Sequence, residues 1–173
     1  MQFLYPEDAI EYIKKNVSVA GKVVFLDIDD TLLTQKERAI CVITYMLRFY
    51  QHLIAENARI YIITARPYSE YNLEHTSRQL QAFGFKNFEA LFLMKLAPDT
   101  PATAYQIALF KSTIRKAVRD SLGLECALSV GNEWHDLLLP SFLGVQLNPL
   151  STFLFSTTEE PIDYLLKLPV KSL

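Results

Sequence analysis

Three carboxylates and a hydroxyl, Asp27, Asp29, Asp30 and Thr31, follow closely on four apolar residues, Val23 to Leu26, in a chain of 173 residues. Val-Val-Phe-Leu reads as a strand buried on both faces. Ionised carboxylates this close repel one another, so a cation, a hydrogen-bond network or bulk water must offset the cost. Extended backbone would project Asp27 and Asp29 to one side and Asp30 to the other. That suits a metal site or an acid/base pair. A polar turn closing the strand is the plainer alternative, since Asp-Asp-Thr is ordinary turn chemistry.

The elements that must hold these groups follow from the apolar pattern. Pro6, Glu7 and Asp8 start a helix whose Ile10, Ile13 and Val17 share a face and which ends before Gly21. Strands are expected at Val23 to Ile28, Arg59 to Thr64, Phe88 to Met94, Glu125 to Val130 and Leu143 to Leu147. Between them fall helices at Lys36 to Asn57, Ser69 to Ala82 and Thr103 to Leu122, with a proline-punctuated loop at Ala97 to Ala102 and a terminal helix at Ile162 to Leu168. The Lys36 to Asn57 segment lacks Gly and Pro and is apolar nearly all round, so it is either buried on several sides or covered by a second copy of the chain. Alternating strands and helices indicate an α/β fold of three layers, with a central parallel sheet of about five strands, in one domain over residues 1–173. In such sheets the reactive groups gather beyond the carboxyl ends of the strands. Asp27, Asp29, Thr64 and Asp136 all sit at such ends.

Composition narrows the function. A formal charge of −2 and no basic run leave no electrostatic reason for a nucleic-acid partner. Ala39 to Leu47, the longest apolar stretch, is too short to span a bilayer, so no membrane partner is expected. Cys41 and Cys126 lie in apolar surroundings as core thiols do, and Glu7, Asp8 and Glu11 stand where a secretory signal would need a basic start. A cytoplasmic protein is the expectation.

Four ordered segments carry a resemblance: Phe25-Leu26-Asp27-Ile28-Asp29-Asp30-Thr31-Leu32-Leu33; Ile63-Thr64-Ala65-Arg66-Pro67; Phe110-Lys111-Ser112 with Arg115; and Gly131-Asn132-Glu133-Trp134-His135-Asp136-Leu137. Leu147-Asn148-Pro149 adds a weak fifth. The chain thus resembles the haloacid dehalogenase (HAD) superfamily of phosphotransferases, and within it the acid phosphatases that include plant vegetative storage proteins. The resemblance implies a Rossmann-like fold without a large cap domain, Asp27 as nucleophile and Asp29 as general acid and base. It also implies Thr64, Ala65, Arg66 and Lys111 around the phosphoryl group, and Mg²⁺ held by Asp27, Asp29 through its main-chain carbonyl, Asn132 and Asp136. Taken singly, Lys111 could be a solvated helix charge, Thr64 a cap and Trp134 a core aromatic. His135 is expected to lie behind the site or face solvent, and His52 and His75 are assigned no function. Asn132 departs from the family pattern, where an aspartate is usual; it keeps an oxygen and loses a charge that a hard cation would use.

The resulting expectation is a Mg²⁺-dependent phosphomonoesterase acting on a small phosphorylated substrate in an open site. Two alternatives stand beside it. One is a weak or inactive protein that keeps the fold for phosphate binding, storage or assembly; the other is a polynucleotide 3′-phosphatase, against which the lack of a basic stripe counts.

Overall fold

Alternation along three central strands divides the core between two layers of helices. The computed structural model describes residues 2–3, 6–96, 101–136, 142–148 and 151–157. Its elements are β1 (Gln2–Phe3), α1 (Pro6–Asn16), β2 (Val23–Leu26), β3 (Leu33–Lys36), β4 (Ala39–Val42), α2 (Thr44–Ala55), β5 (Arg59–Pro67), α3 (Glu70–Ala82), β6 (Ala90–Met94), α4 (Ala104–Leu122), β7 (Cys126–Gly131), β8 (Phe142–Asn148) and β9 (Ser151–Thr157). A 3-10 turn spans Trp134–Asp136.

The main sheet runs β1-β9-β8-β7-β2-β5-β6. Its strands from β8 to β6 are parallel, as the sequence suggests, while β9 and β1 add antiparallel pairing at one edge. Val24, Ile60 and Leu128 lie side by side in register and face α1, α2 and α3. Phe25, Tyr61, Ile63 and Cys126 face the other way, with Val118 of α4. Strands covered on both faces account for the unbroken apolar runs.

α4 is fixed at both ends. Thr103 and Gln106 form a reciprocal capping box, and Gly123 closes the helix at φ 62°. Its buried stripe is Ala108, Lys111, Arg115 and Val118, so the inner face of an otherwise ordinary helix carries two cations.

The expected helix from Lys36 to Asn57 is not one helix. Its first part forms an antiparallel hairpin, β3 with β4, pairing Leu33 with Val42 and Lys36 with Ala39. Glu37 turns the two-residue loop at φ 55°. Ala-Ile-Cys-Val-Ile is rich in β-branched residues, and that preference prevails over helical continuity until Thr44. The shorter helix α2 buries Met46, Phe49, Tyr50 and Leu53 within the chain and exposes Thr44, Arg48 and Gln51. An all-round apolar helix for a second copy therefore does not exist. Strands β1 and β9 were not expected; the Ile162 to Leu168 helix and most of the Ala97 to Ala102 loop lie outside the described residues. Among the described residues no helix is long and apolar enough to cross a membrane.

Candidate active site

Strand β2 hands its last side chains to a tight turn. Asp27 N–H still bonds Val130 O of β7 at 3.0 Å, and the main-chain N–H groups of Thr31, Leu32 and Leu33 then converge on Ile28 O at 3.2, 2.8 and 3.0 Å. Asp30 enters the left-handed region at φ 57°, as the short polar side chain of aspartate tolerates. This curl separates carboxylates that extended backbone would have set side by side. The Asp27 side chain is 9% exposed and turned inward, whereas that of Asp29 is 57% exposed.

Inward, Asp27 Oδ1 accepts from Lys111 Nζ at 2.7 Å, and the same ammonium donates to Asp136 Oδ1. All three groups are buried. Lys111 arrives from the inner stripe of α4, while Asp136 comes from the 3-10 turn after β7. Glu133 N–H donates to Asp136 Oδ2 at 3.1 Å, and Ser129 Oγ donates to Asp136 O at 2.5 Å. Gly131 makes room for this carboxylate: a Cβ there would fall 2.1 Å from Asp136 Oδ2. Arg115, one helical turn beyond Lys111, is wholly buried over the Phe25 ring and donates to His135 O at 3.2 Å.

Burial pushes the Asp27 carboxyl up to about 6, with Lys111 pulling the other way. Burial acts on Asp136 too, but Lys111, His135 and Arg115 together hold it well below the usual carboxylate range. Burial opposes the charge on Lys111, yet its two carboxylates raise its pKa. Burial pushes Arg115 down to about 10, so it stays charged at neutral pH. Of the two acids sharing one ammonium, Asp27 is the one that protonates first on acidification.

Outward, Asp29 meets Arg66. Nε donates to Oδ2 at 2.9 Å and Nη2 to Oδ1 at 2.7 Å, a two-bond fork. Thr64, buried at the end of the β5 ladder beside β2, accepts from Arg66 N–H through Oγ1 at 3.2 Å. Ala65 lies half-buried between them.

Of the four expected metal ligands, the side chains of Asp27 and Asp136 meet at Lys111, Asn132 Oδ1 accepts from Thr31 Oγ1 at 3.4 Å, and Asp29 turns its carboxylate away to Arg66. Among the described residues no three His, Cys, Asp or Glu side chains converge as a metal cluster. The two carboxylates that do meet, Asp27 and Asp136, and the Asn132 amide oxygen held by Thr31 are hard oxygens of the kind Mg²⁺ takes. His135 Nδ1 lies 3.4 Å from Asp136 Oδ1, behind the site as expected. Sequence reasoning missed Ser129, Thr76 and Gln79, none of which carries a visible signal; Gly131 is visible as the opening of the Gly-Asn segment, but not its role in making room for Asp136.

A sequence profile for subfamily IIIB of the HAD superfamily, the acid phosphatases, matches residues 34–141. The chain belongs to this family. The matched span holds Thr64, Lys111, Asn132 and Asp136 and begins after the Asp27 turn, which is tied to Asp136 through Lys111 and to Asn132 through Thr31. No curated protein gives a significant match. As an acid phosphatase the chain has its Asp27 group within an α/β fold, with no large cap among the described residues, as the sequence implied.

Replacing Gly131 with alanine drives a methyl group into the Asp136 carboxylate. G131A is expected to lower phosphatase turnover at least about tenfold by shifting Asp136 off Lys111, since sub-ångström placement matters at this scale. Steady-state assay beside a thermal melt checks it; wild-type turnover would show that the carboxylate has room to move.

Proposed function

We propose that this acid phosphatase hydrolyses small phosphomonoesters with the help of Mg²⁺, through an aspartyl-phosphate on Asp27. The observation that carries the reading is the buried Asp27 carboxylate, pinned by Lys111 Nζ at 2.7 Å just past the end of β2, next to β5, the strand that carries Thr64. Asp27 attacks phosphorus and the bond from phosphorus to the ester oxygen breaks, while Asp29 gives its proton to the leaving alkoxide. Water then attacks phosphorus, Asp29 takes the water's proton, and the bond to Asp27 breaks to release phosphate. Lys111, the Thr64 hydroxyl and the main-chain N–H of Ala65 hold phosphoryl oxygens. Arg66 borders the same locus, although its donors are directed to Asp29, Thr76 and Gln79.

The carboxylates of Asp27 and Asp136, the Asn132 amide oxygen and the main-chain carbonyl of Asp29 would hold Mg²⁺. The ion supplies positive charge against that of the phosphoryl group, which otherwise repels an anionic nucleophile. Asn132 favours a weaker metal site than a third carboxylate would make, and it is the one observation on the side of phosphate binding without turnover. The two free cysteines, one buried and one half-buried, support a cytoplasmic setting.

Hydrolysis of para-nitrophenyl phosphate with Mg²⁺, and its loss with EDTA, tests the function. D27N is expected to lose roughly 10³-fold or more of turnover while folding normally; turnover near wild type would remove Asp27 as nucleophile, and no wild-type turnover would leave the binding reading. Because only ionised Asp27 attacks, kcat/KM is expected to fall about tenfold per pH unit on the acid side of the Asp27 pKa, which burial raises and bound Mg²⁺ would lower, so the break moves to lower pH as Mg²⁺ is increased; a profile flat to pH 4.5 at limiting Mg²⁺ would contradict it. N132D adds an anionic ligand and is expected to lower the Mg²⁺ concentration for half-maximal activity about tenfold, whereas an unchanged metal dependence would show that this position does not touch the ion.

A further inference from the structure

We propose that Gln79 of α3 is a positioning residue, acting on the reaction through Arg66 and then Asp29. This rests on the reading of Asp29 as proton donor to the leaving oxygen. A carboxylate 57% exposed on a turn has rotamers to spare, and in this structure the Arg66 fork selects one of them. Arg66 needs fixing as well. It lies within the stretch where β5 slips register against β6, between Thr64 and Pro67, so regular strand pairing does not set its direction. Its far end is held instead from α3: Nη1 donates to Gln79 Oε1 at 2.8 Å and to Thr76 Oγ1 at 3.4 Å. Thr76 and Gln79 are three residues apart on one helical face, and Leu80 beside them is buried in the core. Gln79 has no part in the Ser69 cap that starts the helix. Its amide oxygen is spent on a guanidinium whose opposite edge grips Asp29.

The consequence is selective. A displaced Asp29 harms substrates whose leaving alkoxide must be protonated, and spares those, such as para-nitrophenyl phosphate, whose leaving group departs as a stable anion. A helix residue that served stability alone would slow both equally.

The test compares kcat and KM for glycerol 2-phosphate and para-nitrophenyl phosphate in wild type, Q79M, Q79E, D29N and the D29N/Q79M pair, each checked by thermal melting. Q79M removes the accepting oxygen at nearly constant volume. It is expected to lower kcat about tenfold for the alkyl ester, in line with the cost of small misplacements, and less than twofold for the aryl ester, with KM unchanged. Q79E keeps an accepting oxygen and is expected to keep the wild-type ratio. In D29N, Q79M is expected to cost nothing further, because the residue it acts through is gone. Equal losses on both esters in Q79M, no loss, or full additivity with D29N would overturn the proposal while leaving the phosphatase reading intact. A D29N protein without any preference between the esters would overturn the assignment of Asp29, and the proposal with it.

Discussion

One buried ammonium holds this site together. Lys111 Nζ bridges Asp27 and Asp136, groups brought from opposite ends of the chain by β2, α4 and the turn after β7. Taking three charges out of water costs several kcal/mol each, and only close, well-aligned pairing offsets it; removing one partner from such a cluster typically costs about 3–5 kcal/mol. The neighbouring sequence reflects that demand. Gly131 leaves space for the Asp136 carboxylate, Ser129 and Glu133 hold its backbone and side chain, and Arg115 brings a second cation from the next turn of α4. The buried cluster of Asp27, Asp136, Lys111 and Arg115 then balances in sign. A carboxylate at position 132 would leave it one negative charge in excess, which Asn132 avoids and which a divalent cation would welcome.

The sheet supplies the precision. Leu26 of β2 pairs with Ile62 of β5 and with Val130 of β7, so both ladders of β2 close at nearly one level, while β5 runs on against β6 to Pro67. Asp27, Thr64 and Gly131 follow within a few residues of that level. Adjacent strands lie about 4.8 Å apart, which brings Asp27, Thr64 and the start of the Asp136 turn close together at one edge of the sheet. Both faces of these strands are packed, so their ends have little freedom to drift.

Much of this was legible in the chain. Apolar runs ending in Asp27, Thr64 and Gly131 marked strands and reactive groups together, because packing gives no reason to place such residues there. The charges on α4 were legible only jointly: Lys111 alone reads as solvated, and its burial depends on partners distant in sequence. The hairpin before α2 was misread because Ala39 to Ile43 is apolar in either state, and only β-branching distinguishes them. Gln79, Thr76 and Ser129 escaped notice because ordinary polar residues on a helix or strand acquire a role only through tertiary contact.

The division between Asp27 and Asp29 follows from one turn. The curl around Ile28 O sends one carboxylate into the core and the next toward water. As the proposed nucleophile, Asp27 gains from burial, since fixed partners replace a hydration shell that would have to be stripped at each attack. As the proposed proton donor, Asp29 gains from exposure, because the attacking water can reach it and return its proton. Exposure costs orientation, and here an arginine fork and an α3 glutamine meet that cost without excluding water. Among the described residues only a short hairpin stands beside the turn and no large cap closes over it, so orientation comes from such ties.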